Sequence, residues 1–224
     1  MRSRRAPLTP AYRHVMFDEA ALVAELVSVH AAHTVVLYGS RARGDATEES
    51  DVDVAAFADV AETTRDARRW SGMFLDVFIH PTAVAHETAD DQLKLVGGRV
   101  LHDERSLGVP LLARLAAREA AGPAPLPETE ARMRRVWLHK MLARIRRGDL
   151  EARYRHHWLL FQILEDDFAL HGEWFKGPKR GLVELRERRP ETYAALVAAL
   201  APSAPVEALV ALVTRVAGPE PCGG

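Results

Sequence analysis

Every stretch of this chain that reads as a β-strand lies before residue 103, and everything beyond reads as helix or linker. Short β-branched and aromatic runs ended by Gly or Pro mark the strands. Thr34-Val35-Val36-Leu37-Tyr38 stops at Gly39, and Asp51 to Phe57 follows a polar loop. Met73 to Ile79 stops at Pro81, and Arg99 to His102 follows Gly97-Gly98. Between them, Asp18 is placed to cap a helix from Glu19 to about His30. Ser40 to Gly44 opens a turn or short helix, and helices are expected over about 59–70 and from His86 to Leu95.

The second half has a different texture. Leu107 to Ala121 is helical, and Gly122-Pro123-Ala124-Pro125-Leu126-Pro127 is the clearest linker. Helical stretches follow over about 128–147, 151–171, 178–188, 191–200 and 204–217, punctuated by Gly148, the Gly172–Gly177 region, Pro190 and Pro202. Strands first and helices second predict an α+β fold, a small mixed β-sheet domain followed by an all-α helical bundle. The expected division is 1–105 for the sheet domain, 106–127 for a helix and Pro-rich linker, and 128–224 for the bundle.

Charge narrows the function classes. Lys and Arg number 30 against 31 Asp and Glu, a formal net charge of −1, which argues against long nucleic acids as partners. Arg2, Arg4 and Arg5 make a basic start too short to alter this, and read as part of an irregular arm with Pro7 and Pro10. The one cysteine, Cys222, allows no intramolecular disulfide. No apolar run approaches the ~20 residues of a membrane span, and the N-terminus lacks an apolar signal-peptide core. A soluble cytoplasmic protein is expected.

The chemistry sits in two short stretches, Tyr38-Gly39-Ser40-Arg41-Ala42-Arg43-Gly44 and Ser50-Asp51-Val52-Asp53-Val54. Alternation along a strand points Asp51 and Asp53 to the same side. Paired carboxylates on an otherwise apolar strand repel unless a cation sits between them. Such oxygen pairs suit Mg²⁺, which takes a few carboxylates plus substrate phosphates, with Mn²⁺ as a substitute. Asp76 repeats the anomaly within Phe74-Leu75-Asp76-Val77-Phe78-Ile79. If its strand neighbours the second one, three carboxylates share a face and suit two metals about 3.5–4 Å apart. Asp76 also has a purely structural reading, a salt bridge to Arg68 or Arg69. Gly39 permits close backbone approach, and the turn it opens offers free N–H groups and the Ser40 hydroxyl to a phosphate. Arg41 and Arg43 fit a triphosphate, or equally fix the loop through Asp45, Glu48 or Glu49.

Gly-Ser, ten intervening residues, Asp-x-Asp on a strand and a third Asp on a later strand resemble the DNA polymerase β-like nucleotidyltransferase superfamily. The run Gly-Ser-Arg-Ala-Arg-Gly followed by Ser-Asp-Val-Asp looks like the bacterial small two-domain members, which include antibiotic adenylyltransferases. The resemblance covers about residues 18–105. It implies that Asp51 and Asp53 are the metal-binding pair, that Asp76 is the third carboxylate or the base, and that Gly39 and Ser40 contact phosphate. It further implies an NTP co-substrate and transfer of a nucleoside monophosphate, AMP being favoured. The acceptor would be a hydroxyl of a small molecule such as an aminoglycoside-like antibiotic. A protein acceptor, or a helical interaction or ribonuclease module beside an inactive transferase domain, are the alternatives.

The helical half offers fewer signals. Lys176 and Lys179 flank a Gly-Pro break in Trp174-Phe175-Lys176-Gly177-Pro178-Lys179 and either reach the triphosphate or are surface lysines. Glu165-Asp166-Asp167 reads as a solvated charge run, or as acids serving a cationic acceptor in an interdomain cleft. Most of the apolar residues on that helix, among them Trp158, Phe161, Ile163, Leu164 and Phe168, read as bundle core, with one or two of the aromatic residues Trp158, Phe161, Trp174 and Phe175 left for a pocket wall. Arg134 and His139 loosely fit an Arg-x4-His ribonuclease pattern, and His102, His139, His156 and His157 lack a trusted metal-ligand spacing.

Overall fold

A computed structural model describes residues 17–220, so the basic start and Cys222 lie outside the described residues. The chain divides into two compact units that part between Ala120 and Ala121.

The first unit is built on a five-stranded mixed sheet of order β3-β4-β2-β1-β5. Helix α1 (Glu19–His30) leads into β1 (Thr34–Tyr38), which passes into the five-residue α2 (Gly39–Arg43). Strands β2 (Val52–Ala58), β3 (Thr64–Trp70) and β4 (Met73–Pro81) follow. Two 3-10 turns, Thr82–His86 and Asp90–Leu95, then precede β5 (Arg99–Asp103) and α3 (Gly108–Ala120). Asp18 caps α1 as anticipated, its carboxylate accepting from the Ala21 N–H at 3.0 Å. The α+β class and the order of strands before helices hold.

Two expectations fail in this unit. Residues 64–70 form a strand where a helix was expected, and residues 86–95 hold a 3-10 turn beside an irregular break instead of one helix. The strand is imposed by its hairpin. Ser71 and Gly72 both have positive φ, 48° and 83°, the backbone that a two-residue hairpin turn needs. They set Trp70 opposite Met73 and zip β3 onto β4 as far as Thr64 and Ile79. The inner side of β3 carries Asp66, Arg68 and Trp70. Arg68 and the Trp70 indole N–H both bond the Glu25 carboxylate on α1, the indole at 2.7 Å.

The sheet is covered on both faces. Under α1, Leu22 and Leu26 pack on Val35, Leu37, Val52, Val54, Leu75, Val77 and Ile79. On the opposite face, Leu111 and Leu115 of α3 and Leu95 and Ala85 of the 3-10 turns pack on Val36, Ala55 and Phe57. Each such fully buried aliphatic side chain contributes about 1.5–3 kcal/mol. Helix α3 therefore belongs to the packing of the first unit. Asp103 anchors its start, accepting from the N–H groups of Leu107 and Gly108, both at 2.9 Å, and from the Thr34 hydroxyl at 2.9 Å.

The second unit is all helix: α4 (Glu128–Ile145), α5 (Leu150–Leu170), α6 (Gly177–Arg188), α7 (Pro190–Leu200) and α8 (Val206–Ala217). Its core gathers Leu138, Leu142, Leu159, Ile163, Phe168, Leu185, Leu212 and Val213. Asp166 and Asp167 are buried within it, correcting the solvated-face expectation for that run. Arg189 Nε donates to Asp167 Oδ2 at 2.8 Å, and Arg134 Nη1 donates to Asp166 Oδ1 at 2.7 Å. Trp158 and Phe161 are exposed, at 46% and 74%, so they fall among the aromatic residues left outside the core. Among the described residues no helix is long and apolar enough to cross a membrane.

Candidate active site

Register decides what meets what on the sheet. Strands β2 and β4 run parallel with Asp53 directly beside Asp76, Ala55 beside Phe78 and Phe57 beside His80. On the other side of β2, antiparallel β1 sets Tyr38 beside Asp53. Residues paired across a ladder share a face, so Tyr38, Asp53, Asp76 and Phe78 form one surface. The face-sharing of Asp53 and Asp76 expected from sequence is present. Asp51 is exposed and stands one residue before β2 begins.

Gly39 closes this surface at the end of β1, for a reason more specific than flexibility. A Cβ at position 39 would lie 2.1 Å from Asp53 Oδ2, and its φ of +70° disfavours any side chain. The carboxylate of Asp53 thus rests against the bare backbone of the Gly39-Ser40 turn. Arg41 holds the loop on the other flank, its Nη2 donating to the Ser50 carbonyl at 2.7 Å and its Nε to the Asp51 carbonyl at 3.1 Å. Arg43 pairs with Asp45 at 3.5 Å. Both arginines are therefore engaged in shaping the loop that presents Asp51. Lys179 lies exposed on α6 of the second unit.

The electrostatics of Asp53 are unfavourable as they stand. Burial pushes its pKa above the ordinary aspartate value, and the charges of Asp51 and Asp76 push the same way, against Arg43 and Lys94. A divalent cation would relieve all three causes, so Asp51 and Asp53 fit one by the chemistry of their donors. Asp76 is differently placed. Both its oxygens accept from Arg65, Nε to Oδ1 and Nη2 to Oδ2, each at 2.7 Å. The structural partner is thus Arg65 on β3, not the Arg68 or Arg69 considered from sequence. Among the described residues, no group of three or more His, Cys, Asp or Glu residues is assembled as a metal cluster.

Residues 23–91 match the family model of the nucleotidyltransferase domain, a span holding Gly39, Ser40, Asp51, Asp53 and Asp76. This span is a nucleotidyltransferase domain. A nucleotidyltransferase-like protein from Exiguobacterium sibiricum 255-15 is similar in structure, with a TM-score of 0.45 and 16% identity over 89% of this chain and 76% of that one. No curated protein matches the chain.

The first unit also brings to this surface residues that sequence reasoning missed. Lys94, from the second 3-10 turn, sets its Nζ 3.8 Å from the centre of the Phe78 ring and 5.7 Å from that of Tyr38. Desolvation there lowers its pKa, opposed by the nearby Asp91, Asp76 and Asp53. Tyr38 is held as the neutral phenol, first by burial and then by Asp53 and Asp76. Arg65 lies over the Phe78 ring at 5.2 Å while it grips Asp76. Period-2 alternation at Asp76 and Phe78 places those two on one face, but nothing local to Lys94 signals that its turn folds back over them.

In the helical unit, Arg134 donates to Glu130 and Asp166. His139 is buried and bonds the Gly218 carbonyl through Nε2 at 3.1 Å. Each has a structural partner of its own, so the Arg-x4-His pattern gains no support as a ribonuclease pair.

Proposed function

We propose that this nucleotidyltransferase moves a nucleoside monophosphate, AMP by preference, from an NTP to a hydroxyl of a small-molecule acceptor, an aminoglycoside-like antibiotic being the favoured kind. The observation that carries the reading is the pairing of Asp53 with Asp76 beside the Gly39 turn inside the matched domain. In this reading Asp51, Asp53 and, once Arg65 releases it, Asp76 would hold Mg²⁺, or Mn²⁺ in its place. When bound, the ion neutralises charge on the reacting phosphates and acidifies the acceptor hydroxyl.

The chain's own residues do the rest. The Gly39-Ser40 turn offers backbone N–H groups and a hydroxyl to the phosphates. Arg41 keeps the Asp51 loop in place, and Arg43 and Lys94 add positive charge on that side. The acceptor oxygen bonds to the α-phosphorus as the bond to the β-phosphate bridging oxygen breaks, and pyrophosphate leaves. The acceptor proton passes to Asp76 once Arg65 has let go of it. Near-neutral overall charge supports a small acceptor over a long nucleic acid.

The test is to incubate the full chain with Mg²⁺, each of the four NTPs and a panel of hydroxylated amines, sugars and proteins, and to weigh the acceptors by mass spectrometry. A mass gain of one nucleoside monophosphate on a small molecule supports the reading. Modification of proteins alone would replace the acceptor class, and absence of NTP binding with Mg²⁺ present would overturn the reading.

A further inference from the structure

Between α4 and α5 the helical unit holds a cavity of about 610 Å³, within the range of small-molecule sites. Glu130, Arg134 and Trp137 line it from α4, and Trp158, Gln162 and Asp166 from α5. These spacings put each trio on one face of its helix. Trp137 and Trp158 meet edge to face across it, with ring centres 5.6 Å apart.

The polar residues here are not needed to join the helices. Elsewhere α4 and α5 bury Leu138, Leu142, Leu159 and Ile163, the ordinary material of a helix contact. At the cavity they bury Asp166 to 2% exposure instead, a less favourable choice than apolar packing. Asp166 Oδ1 accepts from Arg134 Nη1 at 2.7 Å and from Gln162 Nε2 at 3.3 Å. Arg134 Nη2 and Nε donate to Glu130 Oε1 at 2.8 and 3.2 Å. One guanidinium thus serves two carboxylates, and all of these bonds fall on one oxygen of each, leaving Oδ2 of Asp166 and Oε2 of Glu130 outside this network.

We propose that this cavity binds a flat organic cation, with its ring against Trp137 and Trp158 and its ammonium or guanidinium at Glu130 and Asp166. Net charge at the polar end is negative, and indole faces attract cations. An anion would have to win Arg134 from two carboxylates that already hold it. The proposal concerns the helical unit and stands whether or not nucleotidyl transfer is established.

The full chain can be titrated with 2-phenylethylammonium, with neutral 2-phenylethanol and with phenylacetate, following heat and the indole N–H signals by NMR. The cation should bind about tenfold more tightly than the alcohol, and the anion least of all. Trp158→Ala, at an exposed position, and Glu130→Gln, at a part-exposed one, should each weaken the cation severalfold with the melting temperature retained, and Asp166→Asn should act the same way without a change of shape. Equal binding of the three probes, a preference for the anion, no binding of the cation at its solubility limit, or full affinity in the folded Trp158→Ala and Glu130→Gln variants would each overturn the proposal.

Discussion

The carboxylate of Asp53 fills the space that a side chain on Gly39 would need, since a Cβ there would lie 2.1 Å from Oδ2. Gly39→Ala should therefore do two kinds of damage. It forces alanine into a left-handed conformation, at about 1–2 kcal/mol, and it displaces Asp53. Gly44 has a similar φ of +81° but nothing within 4 Å, so Gly44→Ala carries the first effect alone. Calorimetric titration with a nonhydrolysable NTP and Mg²⁺ should find binding retained in Gly44→Ala and lost in Gly39→Ala, with the larger drop in melting temperature in Gly39→Ala. Equal affinities would separate Gly39 from the nucleotide site.

Asp53→Asn should abolish transfer and leave the fold intact or steadier. A ligand lost from a metal site forfeits several kcal/mol of charge stabilisation, roughly a thousandfold or more in rate. The half-buried charge facing Asp51 and Asp76 disappears with it. Pyrophosphate release and melting temperature measured on one sample check both halves. Normal turnover would remove Asp53 from the mechanism.

Arg65 and Asp76 make the next prediction. The arginine side chain is 58% exposed, so Arg65→Ala should leave stability nearly unchanged. It frees both oxygens of Asp76, however. We expect the Mg²⁺ or Mn²⁺ concentration for half-maximal NTP binding to fall severalfold. An unchanged metal requirement would mean that Asp76 does not contribute to cation binding.

Asp103 tests stability rather than catalysis. Burial raises its pKa, but the N–H groups of Leu107 and Gly108 and the Thr34 hydroxyl outweigh that and hold it below the ordinary value. A depressed folded pKa gives stability that is complete above the unfolded value of about 3.9 and is lost as pH falls through the folded one. Asp103→Ala should thus lose about 0.5–2 kcal/mol at neutral pH. The deficit should shrink below about pH 4. Denaturant melts across that range give the answer, and a deficit independent of pH would assign the loss to packing.

Much of this was legible because the signals are local. Thr34 to Tyr38 is a β-branched run with a glycine stop, and Gly39-Ser40 with Asp51, Asp53 and Asp76 is a pattern of types and spacings. The helices from Glu128 onward are bounded by glycines and prolines that stop them in any context. Strand β3 was not legible, because Thr64-Arg65-Asp66-Ala67-Arg68-Arg69-Trp70 has the polar composition of a surface helix. Its extended form comes from a partner strand and from the Ser71-Gly72 turn. Lys94 and Arg65 were hidden for a related reason, since their site contacts depend on a fold-back and a hairpin register that no short window contains.

That hairpin has a bearing on how the molecule comes together. Strands β3 and β4 close across two residues, whereas Asp53 and Asp76 meet only when the finished hairpin lands on β2. Hairpins form in roughly 1–10 μs, and longer-range pairing is slower. Repulsion between the two carboxylates therefore opposes the landing and leaves the zipping untouched. Arg65 pairs with Asp76 within that hairpin, so a hairpin formed first would present an already screened carboxylate to β2. Added salt should speed the refolding of Arg65→Ala more than that of the parent chain.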